Sequence, residues 1–143
     1  MTPSQQARYN LELAKDILSF MISQRIDAIK KEKSNGAVDS NEKVAELMQE
    51  AEFYTQEQDA VISNDAAAIQ RVMSQYYPKI KAAYDHHRTA PITAEERQRR
   101  LEAINYARAS VELEGIKLSK EWEEHALRFI NGEIDMPTFM TWI

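Results

Sequence analysis

Ser110 and Glu114 form the most informative polar pair in the sequence, because they are four residues apart. On a helix this spacing places a hydroxyl and a carboxylate on one face, one turn apart. Gly115 follows directly and is typical of a helix end, where the backbone needs a residue that tolerates positive φ. A carboxylate at that end is unfavourable, because the helix C-terminus carries partial negative charge. We therefore expect Glu114 to serve something other than helix stability.

Two apolar side chains, Tyr106 and Leu113, lie on the same helical face as the polar pair. This face is distinct from the stripe that is predicted to form the core, which comprises Leu101, Ile104, Ala107 and Val111. A helix with two apolar or mixed faces typically packs on something besides its own core. Two interpretations stay open here: Tyr106 and Leu113 pack under the N-terminal half of the chain, or they contact a partner.

No other residue pattern indicates catalysis or metal binding. The absence of cysteine excludes disulfides, thiolate zinc sites and cysteine nucleophiles. His86 and His87 are adjacent and point apart on a helix, and Glu121 with His125 is a lone pair with too few ligands for a metal. We find no Gly-rich phosphate loop, nucleophile elbow or catalytic triad. The sequence therefore predicts a protein that is not an enzyme and that has no cofactor and no metal site.

The C-terminal sequence predicts a module of three helices that positions the Ser110 face. The predicted helix starts are marked by capping side chains: Thr93 (with Glu96 three residues later), Ser119 and Asp135. The first two helices are predicted to end at glycines: Gly115 and Gly132. The basic run Arg97, Arg99 and Arg100 is interleaved with Glu, which is typical of a solvated face.

The N-terminal sequence predicts a helical bundle or hairpin. One apolar stripe recurs at helical spacing from Leu11 to Ile29 and includes Ile26. Pro78 lies inside a later helical pattern, so we expect a kink or a break there. The expected organisation is an all-α protein with residues 1–90 as a module of unknown role and residues 91–143 as the three-helix module. No apolar run reaches membrane-spanning length, and we expect a cytoplasmic protein.

The segment from Arg99 to Gly115 resembles the inhibitory helix of VbhA-type antitoxins, which restrain Fic-domain adenylyltransferases. The motif of that family is Ser or Thr, three residues, Glu, and then Gly or Asn, and it corresponds here to Ser110, Glu114 and Gly115. The stretches 116–119 and 129–134 are also similar to the later helices of the family. The resemblance covers about residues 94–140 and does not extend to residues 1–90.

The resemblance implies a mechanism. Fic enzymes transfer AMP from ATP to a target hydroxyl, using a general-base His, an anion-binding helix N-terminus and an Arg that binds the γ-phosphate. Glu114 would pair with that Arg and fill the space of the γ-phosphate, while Ser110 would anchor the helix by hydrogen bonding. Gly115 would let the chain leave without a Cβ clash. Because this sequence lacks the Fic signature of His-x-Phe and a Gly-Asn-Gly-Arg loop, inhibition would act on a separate chain.

Two alternatives remain at the level of the sequence. The chain could be a non-catalytic helical adaptor in which the motif is incidental, or a DNA-binding autoregulator. The net charge of −5 argues against nucleic acid as a partner, since DNA binding relies on cationic side chains that neutralise phosphates. The N-terminal helices are also a candidate surface for homo-oligomerisation.

Overall fold

The computed structural model describes residues 2–36 and 40–141 of the chain. These residues form helices and no strands, which confirms the all-α prediction. The helices in chain order are α1 (Pro3–Asn35), α2 (Ser40–Ile62), α3 (Ala66–Arg71), α4 (Tyr77–Thr89), α5 (Ala94–Leu113), α6 (Lys120–Ile130) and α7 (Met136–Met140). None of the described helices is long and apolar enough to cross a membrane.

The chain divides into two compact units. One unit is Asn10–Tyr84, and the other combines Met1–Tyr9 with Asp85–Ile143. The three-helix module predicted for residues 91–143 lies inside the second unit. A domain boundary after residue 90 stays a prediction.

The Asn10–Tyr84 unit is built on one face of α1. Its buried apolar residues are Leu13, Ala14, Ile17, Leu18 and Met21 from α1, with Val61, Ala68, Val72 and Tyr84 from the later elements. Ile26, which continues the predicted stripe, is instead exposed. Glu57 adds a polar link, because its carboxylate accepts two hydrogen bonds from Arg71 and one from the Tyr76 hydroxyl, all at 3.0 Å. The bonds from Arg71 lower the pKa of Glu57.

A π-helical turn at Val72–Tyr76 joins α3 to α4 directly before Pro78. The backbone N–H of Tyr77 donates to the carbonyl of Val72, five residues earlier, which is the π-helical pattern. Pro78 has no N–H to offer to the preceding turn, and the chain is helical on both sides of it. Of the two expected outcomes, a kink or a break, the chain is not broken at Pro78. The irregularity is the π-helical turn before it, and Pro78 lies in the first turn of α4.

The unit that contains α5, α6 and α7 confirms the predicted capping residues. Three side chains each accept a backbone N–H at a helix start: Thr93 from Glu96 at 3.1 Å, Ser119 from Trp122 at 3.1 Å and Asp135 from Thr138 at 2.9 Å. The buried core of this unit comprises Ile104, Ala126, Phe129, Ile130 and Phe139. Phe129 and Phe139 stack with ring centroids 5.0 Å apart. Helix α5 thus packs against α6 and α7 through Ile104.

Candidate partner-binding site

The Ser110 side chain lies exposed on α5 and has no hydrogen-bond partner among the described residues. Three other helical hydroxyls in the chain are engaged by their own helix. Those of Thr55, Ser74 and Thr89 each donate to the backbone carbonyl four residues earlier, at 2.7–2.8 Å. Such bonds occupy the hydroxyl within its own helix. The Ser110 hydroxyl remains available to a group outside the chain.

The Glu114 carboxylate is likewise exposed, and no ion pair or hydrogen bond engages it among the described residues. Glu114 is the C-cap residue of α5, with φ −84° and ψ 2°. Glu96, at the other end of the helix, pairs with Arg99 and Arg100 at 3.2 Å. A carboxylate next to the partial negative charge of a helix C-terminus is suited to an incoming cationic group.

Gly115 ends α5 in a Schellman motif. Its φ is +78°, and its N–H donates to the carbonyl of Glu112 at 3.0 Å. The N–H of Ile116 donates to the carbonyl of Val111 at 3.2 Å, which completes the two bonds of the motif. A Cβ at Gly115 would meet no atom within 4 Å. In the chain alone, glycine is therefore favoured at this position by its positive φ and not by a lack of space. The expected Cβ clash concerns the complex with the enzyme and stays a prediction.

Tyr106 and Leu113 are among the most exposed apolar side chains of the described residues, at 78% and 89% exposure. Neither side chain belongs to the buried core of the unit that contains α5, α6 and α7. Ile116, at 54% exposure, follows them beyond the helix end. Sequence reasoning did not assign Ile116, although an apolar residue directly after a helix-ending glycine was the available signal. Exposed apolar side chains next to unpaired polar groups are typical of a protein-binding surface.

Arg100 holds the first half of α5 against α6. The prediction that it lies on a solvated face is wrong for this residue. Its Nη1 donates to the carbonyl of Phe129 at 2.7 Å, and its guanidinium lies 4.4 Å from the centroid of the Phe129 ring. Arg97 donates to the Asn131 side chain at 3.2 Å. The Phe129 carbonyl lies in the last turn of α6 and also accepts the backbone N–H of Gly132 at 3.1 Å. Arg100 thus adds a second hydrogen bond at this helix end and covers an aromatic ring.

Arg108 and Glu123 join the second half of α5 to the first turn of α6. Arg108 Nε and Nη2 donate to the two carboxylate oxygens of Glu123, at 2.9 and 2.6 Å. This two-point pair raises the pKa of Arg108 and lowers the pKa of Glu123. Sequence reasoning missed this pair, because no spacing rule connects residues 15 apart on different helices.

His125 is a packing residue of the α6–α7 core. Its ring is buried and stacks on Phe139, with centroids 5.4 Å apart. Burial lowers the pKa of His125, and the positive charge of Arg128 lowers it further. In residues 2–36 and 40–141, no group of three or more His, Asp or Glu could hold a metal ion.

Comparison with protein families gives one match. Residues 97–138 match the family model described as Antitoxin VbhA. Comparison with curated proteins and comparison with solved structures gave no significant match. The matched stretch runs from the first turn of α5 into α7 and contains the whole exposed face described above. The C-terminal part of this chain is therefore similar to an antitoxin module of the VbhA type.

Proposed function

We propose that this chain is an antitoxin that binds a Fic-domain adenylyltransferase, present as a separate chain, and blocks AMP transfer. Glu114 would be the blocking group, placed against the arginine that binds the γ-phosphate of ATP. The observation that supports this most directly is the exposed, unpaired hydroxyl and carboxylate of Ser110 and Glu114, inside the segment that matches the antitoxin family. Because the proposed target depends on ATP, the proposed site of action is the cytoplasm.

The chemistry of Glu114 accounts for inhibition. A carboxylate pairs with a guanidinium through two parallel hydrogen bonds, which is the geometry that an arginine otherwise offers to phosphate. The same negative charge repels the γ-phosphate. ATP would still enter the enzyme, but it would lose the orientation for in-line attack on its α-phosphate. Loss of orientation alone can remove several kcal/mol of rate acceleration.

The neighbouring residues have separate proposed roles. The Ser110 hydroxyl would hydrogen-bond to the enzyme one turn before Glu114 and fix the depth of the helix. Gly115 would end the helix directly after the blocking group, so that the chain turns away from the nucleotide site. Tyr106 and Leu113 would supply apolar contact area, because large exposed side chains of this kind dominate the energetics of protein interfaces.

An adenylylation assay with labelled ATP tests the proposal. The partner is recovered from the native host with the tagged full-length chain, and its identity as a Fic-domain protein is established by mass spectrometry. The assay then compares the wild-type chain, Glu114→Gly and the matched control Glu112→Gly. Glu112 is exposed two residues earlier and lies off the Ser110 face.

We expect no labelling with the wild-type chain or with Glu112→Gly, and strong labelling with Glu114→Gly. Equal activity of a bound Fic enzyme with wild type and Glu114→Gly would mean that the chain is a docking subunit and that the mechanism is wrong. If no Fic enzyme is recovered, the alternative of a non-catalytic helical adaptor with an incidental motif is favoured. Recovery of DNA whose binding weakens steeply with salt would favour the autoregulator.

The Asn10–Tyr84 unit supports self-association as a second proposed role. It exposes four large apolar side chains, namely Ile26, Met48, Phe53 and Ile62. Sedimentation equilibrium of the full chain tests this role, and a mass that stays monomeric at all concentrations would exclude it.

A further inference from the structure

We infer that the Arg108–Glu123 pair is a positioning clamp that fixes the direction in which α5 presents Glu114. This inference rests on the proposed function of Glu114. It concerns residues outside the inhibitory motif and gives them a part in inhibition.

The second half of α5 is held by few buried groups, since Ala107 and Val111 are only half-buried and no residue of this helix beyond Ile104 is fully buried. In α5, which the structure describes in full, Ile104 is the one fully buried residue. Arg100 ties the first half of the helix to the end of α6. Beyond Ile104 the helix continues for nine residues to Leu113, and Tyr106, Ser110 and Leu113 are exposed there.

The geometry of the pair suits it to this task. Arg108 precedes Glu114 by six residues, which corresponds to about 9 Å along a helix and a rotation of about 120° about its axis. When Arg108 is held against α6, the Ser110 and Glu114 side chains must point away from α6. The two parallel hydrogen bonds to Glu123, at 2.9 and 2.6 Å, restrict rotation as well as distance.

The pair contributes more to direction than to stability. The side chains of Arg108 and Glu123 are 31% and 40% exposed. Ion pairs with this exposure add little to folding, because water screens them. The folded module should therefore survive loss of the pair, while the end of α5 gains freedom. If Glu114 is mobile in the free chain, it must be ordered when the chain binds the enzyme. The entropic cost of that ordering reduces the free energy of binding and so weakens inhibition.

Variants of the full-length chain test the clamp. Arg108→Met and Glu123→Gln each remove the pair, and the double variant Arg108→Glu with Glu123→Arg restores it with reversed charge. Arg99→Met is the matched control, because Arg99 makes an exposed ion pair at 3.2 Å on the same helix. Three quantities are measured: the concentration that half-inhibits the recovered Fic enzyme, amide hydrogen exchange of residues 109–113 in the chain alone, and thermal unfolding.

We expect each single variant to raise the half-inhibiting concentration about two- to fivefold and to speed exchange in residues 109–113. Thermal unfolding should stay close to that of wild type, Arg99→Met should behave as wild type, and the double variant should recover inhibition and slow exchange. Recovery by charge reversal separates a clamp from a general loss of stability. Unchanged inhibition in the single variants, or no recovery in the double variant, would overturn the inference.

Glu114→Gly is measured in parallel to separate the two proposals. If Glu114→Gly abolishes inhibition and Arg108→Met does not weaken it, the clamp is wrong and the proposed function stands. If Glu114→Gly inhibits as wild type does, the proposed function fails and a role of the clamp in inhibition fails with it. Hydrogen exchange then still reports whether the pair orders the end of α5.

Discussion

The two halves of α5 differ in what their side chains contact. In the first half, Arg100 bonds to the end of α6 and Ile104 is buried in the core. In the second half, Tyr106, Ser110 and Leu113 are exposed to solvent. One helix thus holds the module together at its start and presents the proposed binding face at its end. Stability and the proposed recognition are therefore assigned to different residues and should be separable by substitution.

Phe129→Ala should give the largest effect on the supporting half. Phe129 is buried, stacks on Phe139 and lies under the Arg100 guanidinium. Truncation of a buried Phe costs about 3–5 kcal/mol, because it leaves a cavity and removes contacts. Chemical denaturation should show this loss in the transition that reports on α5 and α6. The control is Leu113→Ala, which we expect to change stability by less than about 0.5 kcal/mol. A large loss for Leu113→Ala would contradict the division of α5.

Tyr106→Ala should affect binding and leave folding unchanged. An exposed Tyr at the centre of an interface contributes about 2 kcal/mol, which corresponds to roughly thirtyfold in Kd. Titration calorimetry with the recovered Fic enzyme measures the change. Phe53→Ala is the matched control, because Phe53 is an aromatic residue with 51% exposure in the Asn10–Tyr84 unit. Equal losses for both variants would show that binding is not concentrated on the α5 face.

The two helix-ending glycines offer a finer test of the same division. Both have positive φ, which an L-residue adopts at a cost of about 1–2 kcal/mol. A Cβ at Gly132 would also lie 2.9 Å from Ile92 Cγ2, whereas a Cβ at Gly115 would meet nothing within 4 Å. We expect Gly132→Ala to destabilise by about 1 kcal/mol more than Gly115→Ala in denaturant titrations. A larger loss for Gly115→Ala would mean that the end of α5 is packed more tightly than its exposure indicates.

The smallest expected effect is a pH dependence from His125. Burial in the α6–α7 core and the charge of Arg128 lower the pKa of His125 below 6.5, its ordinary value, so the unfolded chain binds this proton first. The contribution of His125 to stability is complete above pH 6.5 and is lost as pH falls from 6.5 toward the lower folded pKa. Denaturant titrations between pH 7 and about 5 should show the decline, and His125→Gln should reduce it. A decline of the same size in His125→Gln would assign it to other groups.

Local sequence rules predicted the helix ends well. Thr93, Ser119 and Asp135 were expected to cap helices, and each accepts the predicted kind of backbone bond. Gly115 and Gly132 were expected to end helices and both have positive φ. These features depend on a few adjacent residues and on the steric limits of the backbone. The same reasoning explains why the family motif admits Gly or Asn after the Glu, since both residues tolerate the left-handed region.

Contacts between distant residues were not predicted. Arg100 was expected in solvent, and its bond to the Phe129 carbonyl became visible only when α6 was placed beside α5. The Arg108–Glu123 pair was missed for the same reason. The spacing of charged residues along a helix is the same whether their side chains are solvated or bond to the end of another helix. The sequence therefore does not distinguish the two cases.

The sequence by itself determined the helical class, the helix ends and the motif Ser110, Glu114 and Gly115, because these follow from composition and from neighbouring residues. Only the tertiary structure decided which face of α5 is buried, that Tyr106 and Leu113 are exposed, and which arginines hold the helix in place. The physical reason is that burial and ion pairing depend on what lies across the interface between helices. That information belongs to the packed module and is not contained in any one segment of the chain.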